Sequence, residues 1–217
     1  SFAINYYFSG FNPYAFKLTN LVIHCLNGVL VYLLAWHVLD SLRSRLKSCH
    51  FGLYAALLAS AWLLHPVQLT SVLYVVQRMT SLSAFFLLAA LLLHIMTRRR
   101  TSGRRLTVLW LIVAWGACWP LSFLSKETGI LLPGFVVAYE LIIRRSEVGG
   151  LDSLGRALLV LSLLAVIGLV PYLASPFGQW IVSGYEIRSF SLLERVLTES
   201  RVICAYLGWI AFPTLGS

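Results

Sequence analysis

Residues 80–97 read Thr-Ser-Leu-Ser-Ala-Phe-Phe-Leu-Leu-Ala-Ala-Leu-Leu-Leu-His-Ile-Met-Thr, and Arg98-Arg99-Arg100 follow at once. A hydrocarbon core about 30 Å thick needs about 20 helical residues to cross it. The run has that length, carries no charge, and stops at a block of cations. Five more apolar runs flank it, at 14–38, 51–65, 106–124, 128–143 and 157–175. A last one, 202–212, is too short to span and ends at Pro213. The fold class expected is therefore all-α: a polytopic membrane protein of about six transmembrane helices with further amphipathic helices at one face.

Two kinds of polar segment alternate between these runs. One is basic: Arg43, Arg45 and Lys47, then Arg98, Arg99, Arg100, Arg104 and Arg105, then Arg144, Arg145 and Arg156. The other is mixed: His65-Pro66-Val67-Gln68 through Gln77-Arg78, then Ser125-Lys126-Glu127, then Glu186 to Arg201. Cytoplasmic loops carry an excess of Lys and Arg, so the basic segments read as inner and the mixed ones as outer. Composition agrees, with 59% hydrophobic residues, 12% charged and a mean hydropathy of +0.82. The net charge of +9 does not argue for nucleic acid, because 11 of the 17 cations sit in the three basic loops, where they set orientation.

Ser1 is not an initiator methionine and no leader pattern follows it, so the chain reads as a fragment of one transmembrane domain, 1–217, truncated before Ser1 and at its C-terminal end as well. Cys25, Cys49, Cys118 and Cys204 lack metal-binding spacing, and no metal ligand set is assigned. No internal repeat is visible. Gly149, Gly150 and Gly155 mark a flexible inner loop. A long outer loop, 176–201, carries Pro176, Gly178, Trp180 and Gly184. It ends in Ser191-Leu-Leu-Glu194, a capping-box pattern that starts an amphipathic helix lying on the outer surface.

Lys17, Asn20, His24 and Asn27 fall on one side of the first span. Such a stripe is costly against lipid and should face the bundle, either as interhelical hydrogen bonding or as one wall of a polar cavity. Proline suits the first position of a helix, so a new helix should begin at Pro66, with Thr70, Tyr74, Gln77, Arg78 and Ser81 along one side. Arg78 reads as a snorkelling anchor or as a guanidinium that holds a phosphate. Ser125-Lys126-Glu127 tips an outer hairpin, as a plain turn or as a lysine for phosphate beside a carboxylate for a hydroxyl. Glu140 is placed to pair with Arg144 at i,i+4, a structural contact. No Ser/His/Asp triad, Walker loop or dinucleotide fingerprint is present.

Gly10-Phe11-Asn12-Pro13-Tyr14, Asn20-Leu-Val-Ile-His24-Cys-Leu-Asn27, His65-Pro66-Val67-Gln68, Val76-Gln77-Arg78, Ser125-Lys126-Glu127 and Tyr139-Glu140-Leu141 occur in that order. In order and spacing they resemble bacterial relatives of the protein O-mannosyltransferases and of the tetratricopeptide-bearing transmembrane O-mannosyltransferases, within the GT-C glycosyltransferases. The resemblance covers nearly the whole chain. It implies a bacterial inner-membrane enzyme that moves a sugar from a polyprenyl-phosphate carrier to a periplasmic or lumenal acceptor, a protein or glycan. It implies no cofactor beyond that donor, with a divalent metal left open. Cations would hold the carrier phosphate, and an acidic residue of the first outer loop would take the acceptor's proton. That acid would precede Ser1, so Glu127 is the candidate within this chain.

The carry-over otherwise rests on His65, Gln77, Arg78 and Lys126, with Arg201 beside them. Arg78 and Lys126 are expected near the phosphate, and His65 and Glu127 along the same outer cavity. Where the eukaryotic relatives have a glutamate and an aspartate, this chain has Thr70 and Thr80. A lipid flippase or transporter and a non-catalytic scaffold are the alternatives.

Overall fold

The computed structural model describes residues 2–43, 50–99, 104–176, 183 and 190–211. Arg45, Lys47, Arg100, Gly178, Trp180, Gly184 and Glu186 lie outside them. The described residues are helical wherever they are regular, and the chain is an all-α membrane protein. Contacts divide it into two compact units, Ser1–Leu151 and Asp152–Ser217.

In the first unit, α1 (Phe2–Ser9) ends at Gly10, whose φ of +58° is the left-handed conformation that glycine adopts without strain. The Asn12 side chain then accepts a hydrogen bond from the Tyr14 N–H, and Pro13 occupies the first helical turn. Together they start α2 (Pro13–Ser41). After α3 (Phe51–Leu63) the path bends by 54° into a short helical pair, a 3-10 turn at Pro66–Gln68 followed by α4 (Leu69–Leu73). His65 caps this turn, its Nδ1 accepting from the Val67 N–H at 3.2 Å. Tyr74 is extended, a second 3-10 turn spans Val75–Gln77, and only then does α5 (Arg78–Arg99) begin. The single helix expected from Pro66 through Ser81 is thus broken at Tyr74.

Three runs are long and apolar enough to cross a membrane, Pro13–Ser41, Val75–Arg99 and Leu106–Ser125, and the bent pair after Phe51 makes a fourth. Leu106–Ser125 takes in all but the first two residues of α6 (Arg104–Ile112), a π-helical stretch at Val113–Cys118, and α7 (Trp119–Ser125). The run expected at 128–143 is helical but changes type repeatedly: 3-10 at Glu127–Leu131, α8 (Leu132–Ala138), π at Tyr139–Arg144 and α9 (Arg145–Val148). Charged Glu140 and Arg144 interrupt its apolar character. Gly149, at φ +76°, closes α9 with a left-handed cap.

Packing in this unit centres on α5, whose Leu92 and Ile95 meet Leu34 of α2 and Tyr139, while Ala90 meets Leu132 and Val136 of α8. Phe51, Ala55 and Ala59, four residues apart along α3, form its buried edge. Small residues there permit close helix approach in lipid. On α2 the same device is Gly28, where any Cβ would strike the Leu63 side chain.

In the second unit, α10 (Ser153–Ala174) is capped by Asp152, which accepts from the Gly155 N–H at 2.8 Å. Gly155 therefore sits inside a helix rather than in a flexible loop. The capping box forms at α11 (Leu192–Ala211): Ser191 Oγ accepts from the Glu194 N–H, and Glu194 accepts from the Ser191 N–H at 2.7 Å. These donated bonds hold the Glu194 carboxyl below the usual carboxylate range.

Candidate functional site

The break in the chain between Leu63 and Arg78 frees backbone carbonyls, and inside a membrane each must find a donor. The polar stripe of α2 supplies two such donors. Asn20 Nδ2 donates to Val72 O and Tyr74 O, and His24 Nε2 bonds to Leu63 O at 3.0 Å. Farther along α2, Asn27 Nδ2 donates to Ser81 O, a carbonyl inside α5, at 2.9 Å. Asn20, His24 and Asn27 are buried, whereas Lys17 is exposed. Of the two readings of this stripe, the interhelical one describes these three residues, and their partners are main-chain groups.

Arg78 opens α5 and is fully buried. Its Nε donates to Asn20 Oδ1 and its Nη2 to Phe16 O, both at 2.9 Å. The rings of Phe2 and Phe16 lie 4.8 and 5.3 Å from the guanidinium carbon. Nη1 has no hydrogen-bond partner. No carboxylate stands within ion-pair distance among the described residues. A buried cation without a counter-charge among the described residues is costly, and within a membrane it marks a functional position by default.

Two residues on, Thr80 faces the hairpin between α7 and α8. Lys126 Nζ donates to Thr80 Oγ1 at 2.9 Å, and Thr80 donates to Gln77 Oε1 at 2.9 Å. The hairpin backbone is pinned as well. Ser122 Oγ donates to Ser83 O at 2.7 Å, and Ser83 Oγ contacts Ser122 Oγ and Thr128 Oγ1 at 3.2 Å each. Trp119 Nε1 donates to Gly129 O. Gly129 fits because a Cβ there would lie 2.5 Å from Phe123 N and 2.6 Å from Ser122 C. Backbone atoms cannot swing aside as a side chain can. Gly129→Ala is expected to lower stability by about 1–3 kcal/mol, read as thermal unfolding of the detergent-solubilised protein. An unchanged midpoint would show that the hairpin relaxes freely.

The structure thus joins Lys126 to Gln77 through Thr80, the link absent from the sequence reading. Arg78 is held apart from them, against α2, since positions two residues apart on a helix point about 200° apart. Glu127 is exposed and has no side-chain partner among the described residues. With Nδ1 accepting, the His65 ring carries its hydrogen on Nε2, which is buried and unpartnered. No hydrogen bond connects His65, Arg78 and Lys126 to one another. Arg201 is an exposed residue of α11, in the second unit. Among the described residues no three His, Cys, Asp or Glu side chains gather where an ion would sit.

A second polar cluster lies at the other end of α5. Glu140 is fully buried and accepts from Arg98 Nε at 2.7 Å, Arg98 Nη2 at 3.0 Å and His94 Nε2 at 3.1 Å. Its partner is therefore not Arg144, which lies 3.4 Å from Glu147 instead. Arg99 bonds to Asp40 at 2.6 Å and approaches Glu147 at 3.7 Å, tying α2, α5 and α9 together. Here each arginine has its acid, the opposite of Arg78.

The chain is similar to protein O-mannosyl-transferase TMTC3 of Homo sapiens, with 28% identity over 144 residues, and to protein O-mannosyl-transferase Tmtc3 of Drosophila melanogaster, with 31% over 160. Each alignment covers 66% of this chain but only 14% and 17% of those relatives, so the chain spans about a sixth of their length. No protein-family profile matches it. No solved structure matches it either.

Proposed function

We propose that this chain belongs to a membrane glycosyltransferase of the GT-C kind, which moves a sugar from a polyprenyl-phosphate carrier to a protein or glycan acceptor. Likeness to the two O-mannosyl-transferases makes mannose the sugar and protein the acceptor to test first. The basic loops are cytoplasmic, the Arg78 and Lys126 end is periplasmic or lumenal, and a bacterial inner membrane is the setting.

One observation carries the reading: among the described residues Arg78 is buried without a counter-charge, and its buried Nη1 has no hydrogen-bond partner. A phosphate would supply both the charge and the acceptor oxygen. As the sugar–phosphate bond breaks, negative charge grows on the departing lipid phosphate, and fixed cations lower the barrier by holding it. Lys126, on another side of α5 from Arg78 and without an ion pair among the described residues, is a separate cation proposed for the carrier phosphate. The acceptor hydroxyl attacks the anomeric carbon and must lose its proton. Glu127, exposed and unpartnered, is the described carboxylate suited to take it. His65 Nε2, a buried donor without an acceptor, suits a substrate oxygen.

The test is transfer from polyprenyl-phosphate mannose by the purified full-length protein. Arg78→Ala is expected to lower turnover about a hundredfold. Unchanged turnover at wild-type expression would remove Arg78 from the site. The 54° bend after α3 also suits a transporter, whose helices break where substrate binds. Movement of the intact lipid-linked sugar across a vesicle without transfer would favour that reading.

A further inference from the structure

Thr80 is not among the residues that the sequence suggested for the site, yet it stands at the centre of the hydrogen bonds around Lys126. A lysine ammonium can only donate, so at 2.9 Å the Thr80 oxygen accepts from it. The Thr80 hydrogen is then directed to Gln77 Oε1, also at 2.9 Å. That bond sets the Gln77 amide. Its carbonyl faces Thr80, and its NH2 group is turned away with two donors that no described residue uses. The backbone at Lys126 is held too, its carbonyl accepting from the Gly129 N–H at 3.0 Å and from Ser83 Oγ at 3.4 Å. Lys126 keeps two further N–H groups that no described residue uses.

We infer that Thr80 is a positioning residue that fixes Lys126 and Gln77 as a pair of donors for the phosphate oxygens of the carrier, an inference that rests on the transfer reaction proposed above. The direction of the chain, Lys126 to Thr80 to Gln77, leaves only donors at its two ends, which is the complement of an anion. A hydrophobic residue of the same shape at 80 would leave the ammonium mobile and the amide free to turn over. A serine would keep both bonds.

Transfer kinetics with polyprenyl-phosphate mannose and full-length protein test this, with thermal unfolding as the check on folding. Thr80→Val is expected to lower kcat about tenfold, the effect of losing one hydrogen bond to a charged group. Thr80→Ser should stay within about threefold of wild type. In a Lys126→Met background, Thr80→Val should add almost nothing, because the two act through one contact. Should Thr80→Val fold poorly, Gln77→Glu serves instead. It keeps the acceptor for Thr80 but removes the amide donors, and its turnover should also fall about tenfold. A wild type that transfers mannose while Thr80→Val or Gln77→Glu matches it, or losses at Thr80 and Lys126 that multiply, would overturn the role of Thr80 alone. A wild type that transfers none would overturn the proposed function itself.

Discussion

Glu140→Ala is expected to lower the stability of the protein by about 3–5 kcal/mol, the cost of removing one member of a buried ion cluster. The carboxylate is fully enclosed and receives three hydrogen bonds from Arg98 and His94, both buried. Alanine leaves the buried Arg98 guanidinium without its bidentate acceptor. The loss arises mostly from that stranded charge, not from the attraction removed. Replacing all three residues with apolar ones of similar size (His94→Leu, Arg98→Met and Glu140→Met together) should therefore recover most of it. Unfolding of detergent-solubilised protein measures both. If Glu140→Ala unfolds with the wild type, water enters the cluster and the ions do not hold the helices together.

This cluster also shows where sequence reading stops. Glu140 and Arg144 are four residues apart, and local spacing pairs them. The partners that matter, His94 and Arg98, are 46 and 42 residues away and are brought in by helix packing. Apolar run length pointed to 14–38, 80–97 and 106–124, because hydrocarbon thickness sets how long an apolar helix must be to cross, and cation blocks set only its direction. The Ser191–Glu194 capping box was legible for a similar reason, since all its bonds lie within three residues. His65-Pro66 marked a helix start, but nothing local announces the second break at Tyr74. That break is sustained by Asn20, 54 residues earlier, which satisfies the Tyr74 carbonyl. Around the candidate site, residue types pointed to Gln77, Arg78 and Lys126. In the sequence Thr80 registers only as a missing acid, because a threonine hydroxyl has no charge or reactivity to assign it a site role, and its two contacts supply that role.

Arg78→Met is expected to behave in the opposite way to Glu140→Ala, holding its stability while losing its response to lipid phosphate. Two terms compete. Losing the bonds to Asn20 Oδ1 and Phe16 O leaves a buried acceptor without a donor, at about 1–3 kcal/mol, and ends the contacts with the Phe2 and Phe16 rings. Against this, methionine frees the fold from an ion whose desolvation costs several kcal/mol and which no carboxylate offsets. The sum should lie within about 1 kcal/mol of the wild type. A ligand that binds only the folded protein adds about 2.7 kcal/mol at a hundred times its Kd. Polyprenyl phosphate should therefore raise the unfolding midpoint of the wild type and leave that of Arg78→Met nearly unmoved, whereas Arg78→Lys, which keeps the charge but not the fork, should fall between. A methionine variant that loses 3–5 kcal/mol, or one that polyprenyl phosphate stabilises as fully as the wild type, would mean that Asn20, Phe16 and Phe2 already satisfy Arg78 and that no anion completes it.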